Sequence, residues 1–76
     1  MNKPEKKYEK HILALLTTKG FITMVYSLTN QYDGDERQGY EATERMYYNH
    51  FDKRKYIDFE SYRQVRNRYA RLTLRR

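Results

Sequence analysis

The sequence predicts an all-α fold, a compact bundle of three or four short helices, and a helix-turn-helix variant fits that pattern. Two observations carry the prediction. Apolar residues recur at steps of three and four along most of the chain, and strict alternation fails even where strand-favouring residues gather. One Pro and three Gly in 76 residues leave few places for a helix to be interrupted.

Residues 1–7, with Pro4 and three Lys, read as a flexible basic arm, and residues 8–76 as one small domain. Tyr8, Ile12, Leu15 and Leu16 make an apolar stripe, widened by Leu13, and predict a helix over 8–19 that Gly20 stops. Phe21 to Tyr32 mixes signals. Phe21, Met24, Val25, Leu28 and Tyr32 fall on one helical face, while Ile22, Thr23, Val25, Tyr26 and Thr29 are residues that strands prefer. Alternation breaks at Phe21-Ile22 and at Met24-Val25-Tyr26, so spacing selects a helix over 21–31. An αα-hairpin around Gly20 follows.

Tyr32 to Gly39 (YDGDERQG) reads as a polar loop. Asp33, Asp35 and Glu44 echo positions one, three and twelve of a calcium loop. Arg37 then occupies a ligand position and Gly39 stands one place late, which rejects the pattern. The acidic run suits a helix N-terminus instead. Tyr40, Thr43, Met46, Tyr47, His50 and Phe51 give a helix over 40–51, with Glu41 and Glu44 in its first turns where the dipole favours anions. Asp52-Lys53-Arg54-Lys55 interrupts it. Asp58 is an N-cap for a last helix over 58–72, with Ile57 and Tyr62 at the spacing of a hydrophobic staple. Phe59, Tyr62, Val65, Tyr69 and Leu72 line one side of that helix.

A chain of this length buries only roughly 60% of the surface its unfolded form exposes. With no Cys there is no disulfide framework, and His11 and His50 alone make no zinc site, so no metal and no cofactor are expected. The thin core predicts a homodimer or ordering on a partner. No apolar run approaches the length of a membrane span and the N-terminus is charged, so a soluble, cytoplasmic protein is expected.

The formal charge of +6 is unevenly placed. It is +3 over residues 1–32, −4 over 33–44 and +7 over 45–76, the last from ten Lys and Arg against three Asp and Glu. Such asymmetry suits a polyanion partner, because neutralised phosphates release counterions. Residues 56–76 hold six Arg and no Lys. The planar guanidinium clamps phosphate or pairs with guanine, and Asn and Gln pair with adenine. The exposed face of the last helix, with Arg63, Gln64, Asn67, Arg68 and Arg71, is therefore the candidate groove reader. Lys53, Arg54, Lys55, Arg75 and Arg76 are the candidate backbone contacts.

Nine tyrosines are many for this length. Tyr8, Tyr47, Tyr62 and Tyr69 fall on predicted core stripes. Tyr48 and Tyr56 stand beside basic residues and are candidates for stacking on unpaired bases. The sequence thus predicts a small basic nucleic-acid-binding protein, with duplex DNA ahead of RNA, acting as a regulator or accessory factor. The alternative is a protein-binding module or inhibitor docking on a larger machine through its Tyr- and Arg-rich surface. Catalysis is not expected. Ser27 and Ser61 sit in helical stretches without a nucleophile turn, and no Gly-rich nucleotide loop is present.

Overall fold

Each long helix begins at a residue whose side-chain oxygen accepts a hydrogen bond from the first turn. The computed structural model describes residues 10–74. Among these the order is α1 (Lys10–Leu13), a 3-10 turn (Ala14–Leu16), α2 (Thr18–Gln31), α3 (Glu36–Phe51) and α4 (Phe59–Leu74), with no strand. The fold is an all-α bundle, and the ambiguous segment from Phe21 onward is helical. The arm over residues 1–7, together with Tyr8, Arg75, Arg76 and the side chain of His11, lies outside the described residues.

The break between the first two helices falls at Thr17, not at Gly20. Thr17 is extended (φ −98°, ψ 156°) and serves both helices. Its N–H and its hydroxyl donate to the Ala14 carbonyl, at 3.0 and 2.8 Å. The same Oγ1 accepts from Gly20 N–H at 2.9 Å, which caps α2. Gly20 therefore sits inside the first turn of α2. A Cβ there would lie 1.9 Å from the Ala14 carbonyl oxygen, so the residue is small because the chain folds back over it. A glycine required by close approach looks, in sequence, like a glycine that ends a helix.

Gly39 repeats that lesson. It was expected in the loop, yet α3 starts three residues before it, at Glu36. Asp35 caps the helix, accepting from Gln38 N–H at 3.2 Å and from Gln38 Nε2 at 3.0 Å. These contacts hold the Asp35 carboxyl below its ordinary value of 3.8. The connection shrinks to residues 32–35. Asp33 (φ 58°) and Gly34 (φ 85°) turn it, and Gly34 N–H returns to the Thr29 carbonyl at 3.0 Å.

At the far end, α3 closes on Asp52 in the left-handed region (φ 62°), whose N–H donates to the Tyr48 carbonyl at 2.8 Å. Asp58 caps α4 as expected, accepting from Ser61 N–H at 2.8 Å. The staple does not form, because Ile57 is 79% exposed and Tyr62 is fully buried. Residues 52–58 make a seven-residue connection before α4, longer than a helix-turn-helix turn of three or four. The connection of that length, with its Gly, precedes α3.

The core is aromatic. The Phe21 ring meets Tyr56 at 5.2 Å, Tyr62 at 5.9 Å, Tyr47 at 6.1 Å and Tyr40 at 6.2 Å, and Tyr40 stacks on Tyr62 at 5.0 Å. Ile12, Leu15, Ile22 and Val25 close it from α1, the 3-10 turn and α2. Leu13 and Leu16, counted in the apolar stripe of the first helix, are about half exposed instead (45% and 48%), because the turn into 3-10 geometry rotates the stripe.

Gly39 crosses α2 so closely that a Cβ would lie 2.3 Å from Thr29 Oγ1 and 2.8 Å from Thr29 N. Gly39→Ala forces the helices apart, at about 1–3 kcal/mol, more than the ~1 kcal/mol of helix propensity it gains. A lower urea midpoint is expected. An unchanged or higher midpoint contradicts the crossing.

Candidate nucleic-acid interface

Helical geometry decides which polar residues of α4 point outward. At 3.6 residues per turn, Gln64, Asn67, Arg68 and Arg71 span an arc of about 100°, and all four are exposed. Among the described residues, neither Arg68 nor Arg71 has an ion-pair partner.

Arg63 stands off this arc and pairs with Glu60 at 2.8 Å. That pair is largely solvated and contributes little to stability. Arg66 turns inward, where its guanidinium pairs with Glu36 at the start of α3, both side chains being mostly buried. Its Nε and Nη2 also donate to Asn67 Oδ1, at 3.1 and 2.8 Å. The Asn67 carbonyl is thus occupied, and its amide NH2 is the group left for a base edge.

The basic loop after α3 behaves differently from its sequence reading. Glu44 is 1% exposed and sits beneath it. Its carboxylate accepts from Lys55 N–H at 2.9 Å, Tyr56 N–H at 2.9 Å and the Tyr40 hydroxyl at 2.8 Å. Arg54 donates from Nε to the Tyr56 carbonyl at 3.1 Å and from Nη2 to the Tyr40 oxygen at 3.0 Å, and its Nη1 lies 3.7 Å from Glu41. The Lys55 ammonium donates to the Leu16 carbonyl at 2.9 Å and lies over the Tyr47 and Tyr56 rings. Burial lowers its pKa.

Of the three loop cations, Arg54 and Lys55 are therefore structural, and Lys53 alone faces solvent without an ion-pair partner among the described residues. Tyr56 is in the same position. Its ring packs edge-on against Phe21 and Tyr62, which removes it from the residues open to a base and leaves Tyr48, 54% exposed.

The structure thus brings together Gln64, Asn67, Arg68 and Arg71. Tyr48 is exposed on α3 and Lys53 in the connection that follows it. Two cations that sequence reading left out of the site, Arg37 and Arg45, stand exposed on α3, where positions 37, 41, 45 and 48 share one side. The signal was their helical spacing, hidden because the helix was expected to start at Tyr40.

Comparison with protein-family models, with curated proteins and with solved structures finds no match for this chain. Among the described residues no helix is long and apolar enough to cross a membrane.

Replacing Glu44 strands two backbone N–H groups and a phenol beneath the loop, at a cost on the order of 3 kcal/mol for Glu44→Ala. Urea unfolding measures the loss. Amide exchange of Lys55 and Tyr56 should quicken more than that of the α2 core, and uniform protection would contradict the role of Glu44 in the loop.

Burial first, and the Glu44 carboxylate second, hold the Tyr40 hydroxyl well above its ordinary value of 10.0. Burial and Glu36 do the same for Tyr62. The unfolded chain releases these protons at a lower pH than the folded one. Their contribution is thus complete below pH 10 and is lost as pH rises above it. An absorbance titration should show tyrosines that ionise only as the helices melt. Ionisation of all nine before any loss of helix would reject this.

Proposed function

We propose that this chain is a small nucleic-acid-binding protein, favouring duplex DNA over RNA, that acts in the cytoplasm as a regulator or accessory factor without catalysis of its own. The observation that carries the reading is the outward arc of Gln64, Asn67, Arg68 and Arg71 on one long helix, with both arginines unpaired among the described residues. Guanidinium forks serve guanine edges and phosphates, the Gln64 amide serves adenine, and the Asn67 NH2 donates to a base acceptor. Lys53 supplies a backbone contact. Lys55 leaves that role to it, its ammonium being used on the Leu16 carbonyl, and Arg54 is held to the side of α3 through Nε and Nη2.

A homodimer would present two such helices to a palindromic site. The half-exposed Leu13 and Leu16, together with Leu72 at 62%, favour an apolar contact of some kind. They also support a second reading, a module that docks on a larger protein assembly. Capture after nuclease treatment separates the two, since a stoichiometric protein partner selects the module.

Fluorescence anisotropy against labelled duplex DNA tests the first reading. Arg68→Ala and Arg71→Ala should each weaken binding and reduce the salt slope by about one. Replacing Asn67 should alter preference among sequences more than affinity. Equal binding by wild type and the Arg68→Ala/Arg71→Ala double variant at physiological salt removes the proposal.

A further inference from the structure

The outer side of α3 carries a second surface, away from the α4 arc. Glu44, Arg45, Tyr48, Asn49 and Arg54 line a groove of about 310 Å³. Arg45 also borders a smaller one of about 160 Å³, lined by Tyr32, Arg37, Gln38 and Glu41, whose carboxylate stands beside Arg54 Nη1. From Arg37 to Tyr48 the helix rises ~16 Å.

Three features distinguish this groove from an ordinary solvated helix side. Tyr48 is 54% exposed, while its neighbour Tyr47 is 4% exposed in the core, and among the described residues no ring stacks on Tyr48. Its ring stands at the surface and outside the core cluster. Arg54 is fixed at Nε by the Tyr56 carbonyl and at Nη2 by the Tyr40 hydroxyl, so this cation is ordered before any ligand arrives. The Glu44 carboxylate at the floor is satisfied by two backbone amides and a phenol, which limits its repulsion of an incoming anion.

We infer that this groove binds an unpaired segment of nucleic acid, with a base stacked on Tyr48 and the adjoining phosphate held by Arg45 beside the fixed Arg54. A free aromatic face next to cations suits an unpaired strand. Bases within a duplex have their faces covered by their neighbours, whereas a single strand offers them. Asn49, one residue on, offers an amide to the edge of the stacked base. The site shares the polyanion class with the α4 reading but not its residues, so the two stand or fall separately.

The chain has no Trp, so Tyr48→Trp places a single reporter in the groove. Titrating it with oligo-dT, oligo-U and a blunt-ended DNA duplex should give saturable quenching by the single strands and none by the duplex. The stronger of the first two identifies the strand chemistry. In anisotropy, Tyr48→Ala should lose about tenfold in single-strand affinity and Tyr48→Phe should keep it, as stacking predicts. Arg45→Ala should weaken binding and flatten its salt dependence. The Arg68→Ala/Arg71→Ala double variant should leave the quenching unchanged.

Circular dichroism of Tyr48→Ala should match wild type, because the ring lies outside the core. Quenching by the duplex equal to that by single strands, absence of single-strand binding, or full binding by Tyr48→Ala overturns the inference.

Discussion

A carboxylate sealed beneath a basic loop organises the end of the bundle where α3, the loop and α4 meet. Burying Glu44 alone would be costly, since a charge removed from water needs hydrogen bonds on its lone pairs to compensate. The fold supplies them from the Lys55 and Tyr56 amides and the Tyr40 hydroxyl. Once the loop is held this way, the Tyr56 ring closes against Phe21 and Tyr62, and the direction in which the chain enters α4 is set. The side that α4 turns to solvent follows from that entry.

The aromatic core is the other half of the same solution. A chain without disulfides has to fill its interior with few residues, and tyrosine supplies a large apolar body with a hydroxyl that must find a partner. The Tyr40 hydroxyl finds Glu44 and Arg54, and so joins the core to the polar network. Among the described residues the buried Tyr62 hydroxyl has no hydrogen-bond partner, and neither does Glu36 Oε2.

The charge asymmetry of the sequence acquires a different meaning in three dimensions. Four acids of this stretch are engaged by the fold, with Asp35 capping α3, Glu36 holding Arg66, Glu41 beside Arg54 and Glu44 buried under the loop. Glu36 withdraws Arg66 from the surface, while Glu41 offsets the charge of an Arg54 that stays exposed. Among the described residues, the arginines left without an ion pair are Arg68 and Arg71 on the α4 arc and Arg37 and Arg45 on the outer side of α3. Two surfaces remain where the sequence suggested one continuous basic half.

The sequence by itself determined the helices, because apolar spacing and side-chain caps act over a few residues. Asp58 was legible as a cap, Phe21 to Gln31 as helix, and Gln64, Asn67, Arg68 and Arg71 as one face. Only the tertiary structure decided the fate of Gly20, Gly39, Glu44, Arg54, Lys55 and Tyr56. A glycine pressed against the Ala14 carbonyl or the Thr29 hydroxyl looks, in sequence, the same as one in a turn. A glutamate in a helix carries no mark of the loop amides it will meet. Those outcomes depend on which groups packing brings within hydrogen-bond distance across the bundle, and local pattern does not contain that information.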